Sequence, residues 1–145
     1  MTILERLFAA GIALACLAPL LVAATVKPRG TGTGTHEALG LAPCGFLEHS
    51  RIPCASCGMT TAFAWFVRGN LPASFYLQPM GALLALGCGV TFWGAAYVAG
   101  TGRPVHRLLR SIPILKLVIA TIVFALLAWG WKICIHLAGM DGWAV

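Results

Sequence analysis

The fold of this chain is decided by a run of 20 uncharged residues from Leu7 to Val26, LFAAGIALACLAPLLVAATV. A helix needs about 20 apolar residues to cross the hydrocarbon core of a bilayer. Two more runs are also long and apolar: the uncharged residues 79–100 (PMGALLALGCGVTFWGAAYVAG) and residues 114–134 (ILKLVIATIVFALLAWGWKIC), whose lysines lie only near its ends. The sequence therefore predicts an all-α membrane protein with three transmembrane helices in a single membrane domain, residues 1–145.

The composition agrees with a membrane location. Hydrophobic residues make up 59% of the 145 residues and charged residues only 10%, whereas a soluble domain has roughly 25% charged residues. The length leaves no room for a nucleotide-binding domain beside the spans. The net charge of +6 comes from basic residues that flank the apolar runs, which indicates contacts with membrane lipids and argues against a nucleic-acid partner.

The arrangement of positive charges predicts the orientation. The short connector 101–113 carries Arg103, Arg107 and Arg110 and no acidic residue, and short Lys/Arg-rich loops stay in the cytoplasm. We therefore expect a bacterial cytoplasmic (inner) membrane protein with its N-terminus in the cytoplasm and its long loop outside. Residues 1–26 favour a retained membrane anchor, and a cleaved signal peptide remains the alternative. Lys116 and Lys132, near the ends of the third run, are expected to snorkel outward.

The long loop divides into two parts. Residues 28–36, PRGTGTGTH, predict a flexible connector. Residues 36–78 predict a Cys-rich loop followed by a short helix from Gly58, GMTTAFAWFVRG. About 11 residues are too few to span a bilayer, so this helix is expected at the membrane interface or against the other helices.

Three cysteines in this loop form the candidate site: Cys44, Cys54 and Cys57, spaced C-x9-C-x2-C. A C-x2-C pair can bind one metal ion or form a disulfide. The helix start after Cys57 is expected to lower the pKa of that thiol. His49 is the candidate fourth ligand, with Cys134 or His136 from the third span as the alternative. Zinc and copper suit such ligands, while a structural disulfide and a thiol-exchange site remain open.

The segment PCASCGMTTAF, residues 53–63, resembles an uncharacterised bacterial membrane-protein family, the domain-of-unknown-function family 2752. That family's pattern has a leading Cys, then CP-x-CG-x-TRA, an apolar helix, a Gly and later Asn-Pro-Leu at the start of a span. The resemblance covers roughly residues 44–82. Ala55 stands in place of the proline and Thr61 in place of the arginine. The resemblance implies a small membrane protein and supplies no established activity.

Few ionisable residues are available for chemistry, since the only acids are Glu5, Glu37, Glu48 and Asp141. The first hypothesis is therefore a non-catalytic accessory protein that packs in a larger membrane complex or with copies of itself, its cysteine cluster held by a disulfide or a metal. Two alternatives are a metal-binding or metal-handling membrane protein and a membrane thiol–disulfide oxidoreductase. An enzymatic function is the less favoured hypothesis.

Overall fold

A computed structural model describes residues 2–103 and 113–143, and within these ranges the chain is helical without a β-strand. The predicted connector arginines Arg107 and Arg110 lie outside the described residues. The elements, in chain order, are α1 (Ile3–Thr25), a 3-10 helix (Thr35–Leu39), α2 (Gly45–Ser50), α3 (Met59–Val67), α4 (Leu71–Leu77), α5 (Pro79–Thr101) and α6 (Ile114–Leu137).

Three of these helices, α1, α5 and α6, are long and apolar enough to cross a membrane. They have 23, 23 and 24 residues. They cover the three apolar runs that the sequence predicted, except for Val26, which is the C-cap of α1. The fold class is therefore confirmed. The first and last helices extend beyond the predicted runs, because Thr2 caps α1 with Glu5 in a capping box and α6 continues to Leu137.

Helices α1 and α5 pack against each other in antiparallel directions. At one end, the Arg6 side chain donates hydrogen bonds to the carbonyl oxygens of Ala99 and Gly100, at 2.9 and 3.1 Å. At the other end, the Arg68 guanidinium donates to Val26 O at 2.8 Å and to the carbonyls of Ala23 and Ala24. The last carbonyls of a helix lack partners within it and carry partial negative charge, so each arginine stabilises a helix C-terminus.

The short helices α3 and α4 pack at the end of the bundle where α1 finishes and α5 begins. The apolar side of α3 faces other helices, since Ala62 and Ala64 are completely buried. The approach of α3 to α5 is close, because a Cβ at Gly81 would lie 3.0 Å from Ala62 Cβ. Small residues permit such packing. Ser74 in α4 donates a 2.7 Å hydrogen bond to Ala62 O, which fixes α4 on α3.

Helix α6 is attached to the rest of the chain mainly through its C-terminal third. The indole of Trp129 donates to Pro53 O at 3.0 Å, and that of Trp131 donates to Tyr76 O at 2.7 Å. The expectation that Lys132 snorkels outward is wrong. Its side chain is fully buried and forms a 2.9 Å ion pair with Asp141, because the chain folds back after α6 and brings a carboxylate to the buried ammonium.

The segment after α6 packs on the loop that follows α1. Trp143 N–H donates to Gly30 O at 3.0 Å, and the Tyr76 hydroxyl donates to Met140 O at the same distance. Gly32 is buried in this contact, where a Cβ would lie 2.0 Å from the carbonyl oxygen of Asp141. The prediction that residues 28–36 form a flexible connector is therefore wrong, because these glycines bring the backbone close to the tail. The cysteine-containing loop, the end of α1, the start of α5 and the end of α6 all meet here.

Candidate metal centre

The sulfur atoms of Cys44, Cys54 and Cys57 lie together at the end of the bundle where these segments meet. Cys54 Sγ is 3.5 Å from Cys44 Sγ and 3.2 Å from Cys57 Sγ. All three sulfurs lie within 4.8 Å of one another. A disulfide bond is about 2.05 Å long, so these are three free thiols. We refer to them as the cysteine cluster.

Local structure explains how the three thiols converge. Cys57 N–H donates to Cys54 O at 3.0 Å, which closes a turn and brings the C-x2-C pair onto one side. Gly58, with φ of 85°, ends this turn in the left-handed region that favours glycine. Gln78 at the start of α5 donates a 2.7 Å hydrogen bond to Ala55 O. Cys44 precedes the first residue of α2 and approaches from a separate segment.

The thiols of the C-x2-C pair differ in acidity. Burial alone would raise the pKa of Cys54, but hydrogen bonds from Ser56 and from the thiols of Cys57 and Cys44 stabilise its thiolate and lower the pKa to about 7. Burial and the hydrogen bonds to Cys54 and Cys44 raise the pKa of Cys57 to about 12. The expectation that the helix start lowers the pKa of Cys57 is wrong, because Cys57 is buried while Cys54 receives the hydrogen bonds.

In the reduced, metal-free protein, Cys54 is expected to react with iodoacetamide faster than Cys57. Its rate should rise about tenfold per pH unit below pH 7 and level off above it, since the thiolate is the nucleophile and protonation removes it. Mass spectrometry of labelled peptides measures both rates. Ser56→Ala should move the Cys54 profile to higher pH, because a hydrogen bond to the thiolate is lost. Equal rates for Cys54 and Cys57 at pH 7 would contradict the assignment.

The cysteine cluster opens onto a cavity of about 610 Å³, which lies between α1, α3 and the segment that joins them. The walls of this cavity are largely apolar and include Pro19, Val22 and Phe63. His36 and Met59 also line it and contribute an imidazole and a thioether. A cavity of this size is in the range of small-molecule sites. The cluster is therefore accessible from one side and not enclosed by protein.

The other ligands predicted from the sequence lie elsewhere. His49 is exposed in α2, and the compact sulfur group does not include it. Cys134 is exposed on α6. His136 pairs through Nδ1 with the carboxylate of Asp141, which also binds Lys132. The structure brings together Cys44, Cys54 and Cys57, and the predicted metal roles of all six residues stay predictions.

Two features near the site were missed in the sequence. The first is the buried ion pair of Lys132, whose Nζ lies 3.4 Å from the position that a Cβ would take at Gly58, next to Cys57. The signal was Asp141, an isolated acid nine residues after Lys132. The second is His36 beside the cavity. No spacing rule points to it, because its distance from the cysteines along the chain fits no paired ligand motif.

Comparison with known proteins gives one match. No curated protein and no solved structure matches the chain. Residues 44–92 match the family model described as "Protein of unknown function (DUF2752)". The matched segment begins at Cys44 and runs through α3 and α4 into α5, so it contains the whole cysteine cluster. This match confirms that the chain resembles the DUF2752 family over the part of the structure that forms the candidate site.

Proposed function

We propose that this protein is a metal-binding protein of the bacterial cytoplasmic membrane, which holds a thiophilic ion, zinc or Cu(I), between Cys44, Cys54 and Cys57. The observation that carries the proposal is the convergence of three free thiols within 4.8 Å. In this proposal the N-terminus lies in the cytoplasm and the cysteine cluster lies outside, as the arginines of the connector favour.

The sulfur positions need little adjustment to bind an ion. Thiolates bind zinc at about 2.3 Å, which places two sulfurs of a tetrahedral site about 3.8 Å apart. Two of the pairs are 3.5 and 3.2 Å apart. The third pair lies within 4.8 Å, so changes of at most about 1 Å in these separations create the site. The low pKa of Cys54 favours binding, because a ligand thiol must lose its proton. The raised pKa of Cys57 opposes binding, so the ion itself must displace the proton of that thiol.

Thiol–disulfide exchange explains the proximity of only two of the three cysteines. Exchange at Cys54 requires a reactive thiolate and one partner thiol, and Cys57 is sufficient for that. It leaves the approach of Cys44 from a separate segment without a role. A metal ion uses all three sulfurs and joins the segment before α2 to the turn before α3. Metal binding therefore also stabilises the fold at this end of the bundle, because the ligands are brought together only in the folded chain.

Metal analysis of the reduced full-length protein in detergent tests this function. We expect about one equivalent of bound zinc or copper per chain, since a structural site should be nearly full. Cys54→Ser should reduce this below about a tenth of an equivalent, because the central sulfur is lost. Cys134→Ser is the matched control, since it removes an exposed cysteine outside the cluster, and it should keep the metal.

Two outcomes would contradict the assignment of the site. Wild-type protein that retains less than about a tenth of an equivalent after incubation with zinc or Cu(I) does not have a metal centre. Loss of metal in Cys134→Ser, with full binding in Cys54→Ser, would move the site to the end of α6. Circular dichroism of each variant shows whether a loss of metal reflects a loss of helix.

A second candidate function, a non-catalytic accessory role, is favoured by one observation on α6. No residue of α6 before Ala128 is buried within the described chain, so this part of the helix is free to contact lipid or another membrane protein. Packing in a larger complex or with a second copy would cover this surface. Purification in mild detergent tests this role, and a strictly monomeric particle without a co-purifying partner would exclude it.

A further inference from the structure

We infer that His36 is the fourth ligand of the proposed metal centre, which makes it a Cys3His zinc site. This inference rests on the proposed metal binding by the cysteine cluster. His36 lines the same cavity as Cys44, Cys54 and Cys57, whereas His49 does not line it and is exposed. Cys3His is one of the common ligand sets of tetrahedral zinc.

The position of His36 is fixed by its neighbour. Thr35 is buried, and its hydroxyl lies 2.8 Å from the hydroxyl of Thr61 in α3. Arg29 N–H donates a second hydrogen bond to the Thr35 hydroxyl, at 3.2 Å. These bonds hold the 3-10 helix against the first turns of α3, directly after the C-x2-C turn. The next residue, His36, is consequently held beside the cavity and is half-buried.

The hydrogen bond of His36 determines which of its ring nitrogens carries the hydrogen. Its Nε2 lies 3.2 Å from the carbonyl oxygen of Ala42. A carbonyl oxygen only accepts, so Nε2 carries the hydrogen and the neutral ring has its lone pair on Nδ1. Histidines that bind metals characteristically donate the other ring N–H to a backbone carbonyl or a carboxylate. His36 already has this arrangement.

The same hydrogen bond couples His36 to Cys44. His36 does not belong to the group within 4.8 Å, so the imidazole must approach the sulfurs when the ion binds. Ala42 lies two residues before Cys44. The His36–Ala42 bond connects the imidazole to the segment that contains Cys44, and rotation of the side chain into the cavity would bring the imidazole to the ion. The cavity provides the space for this closure.

Charge also favours an imidazole as the fourth ligand. Three thiolates around Zn²⁺ leave a net charge of −1, because each sulfur contributes −1. A fourth thiolate or a carboxylate would raise this to −2 in a partly buried site, where desolvation of charge is costly. A neutral imidazole completes the tetrahedron without adding charge. The fourth ligand position of the ion would lie on the open side of the cluster, where Cys54 and Cys57 also line the cavity.

Zinc K-edge X-ray absorption of the full-length protein loaded with zinc alone tests this inference. We expect three sulfur neighbours and one nitrogen neighbour with the outer-shell scattering of an imidazole. His36→Ala should remove the imidazole signal and weaken zinc binding at least 10-fold, since loss of a residue that only hydrogen-bonds to a metal ligand already weakens metal binding about 10–100-fold. Competition with a chromophoric zinc chelator measures the affinity. His49→Ala is the matched control and should change neither measurement.

His36→Cys addresses the case in which His36→Ala fails to fold. It should bind zinc with four sulfur neighbours and no imidazole signal. An imidazole signal that persists in His36→Ala or His36→Cys, or that disappears in His49→Ala, would overturn the role of His36 while leaving the three-cysteine site intact. If the wild-type protein binds no zinc, the proposed metal centre itself is disproved. Failure of the metal centre is therefore distinguishable from failure of the role of His36.

Discussion

Asp141→Asn should lower the free energy of unfolding by about 3–5 kcal/mol, the cost of leaving one partner of a buried ion pair without the other. Lys132 is fully buried, and its Nζ lies 2.9 Å from Asp141 Oδ1. Its other hydrogen-bond partner is Gly32 O, at 3.4 Å. The neutral amide would leave the ammonium in a low-dielectric environment without a counter-charge. Denaturation by SDS in mixed micelles, followed by circular dichroism, measures the change.

Glu37→Gln is the matched control for this carboxylate. Glu37 pairs with Arg29, but both side chains are partly exposed, at 33% and 47%. Exposed ion pairs contribute roughly 0–1 kcal/mol, so this variant should remain within about 1 kcal/mol of the wild type. Lys132→Met combined with Asp141→Asn should recover much of the lost stability, because it removes the unpaired charge. Equal losses in Asp141→Asn and Glu37→Gln would show that burial of Lys132 carries no special cost.

Gly32→Ala should destabilise the protein by about 2–5 kcal/mol, the sum of about 1–2 kcal/mol for a left-handed residue with a Cβ and about 1–3 kcal/mol for overpacking. Gly32 has a φ of +70°, and an added Cβ would lie 2.0 Å from the carbonyl oxygen of Asp141. The same Cβ would approach Leu77 Cδ2 to 2.8 Å. The tail must therefore move, which also disturbs the Lys132–Asp141 pair.

Gly40→Ala measures the cost of the left-handed backbone without the cost of overpacking. Gly40 has a φ of +78°, yet a Cβ added there would meet no atom within 4 Å. Its cost should be limited to the conformational term of about 1–2 kcal/mol. The comparison uses the same SDS denaturation. A Gly32→Ala variant no less stable than Gly40→Ala would show that the tail does not pack on residues 30–32.

The spans could be predicted because each depends on its own residues. An uncharged run such as residues 7–26 must cover its backbone polar groups by itself in a bilayer, which a helix does. The C-x2-C turn is equally local, since a hydrogen bond from Cys57 N to Cys54 O is sufficient to form it. The observed helix ends differ from the predicted ones by a few residues only, because capping residues such as Thr2 extend the helices.

The remainder of the site depends on contacts between distant segments. The burial of Lys132 is not visible in its helix, because a lysine near the end of a span ordinarily reaches the interface. It becomes fixed only when the tail packs on residues 30–32. The place of His36 depends likewise on Thr35 and Thr61, which are 26 residues apart. The sequence instead favoured His49, which is nearer to the cysteines along the chain but is exposed and does not line the cavity.

The attachment of α6 by one end separates its membrane insertion from its assembly. This helix is long and apolar enough to cross a bilayer by itself, and none of its residues before Ala128 is buried within the described chain. Its orientation toward α3 and α4 depends instead on a carboxylate that is translated after the helix. A chain truncated after Leu137 would therefore keep an apolar α6 but leave Lys132 without its carboxylate. During synthesis, docking of α6 must wait for residue 141, although the helix itself is complete at Leu137.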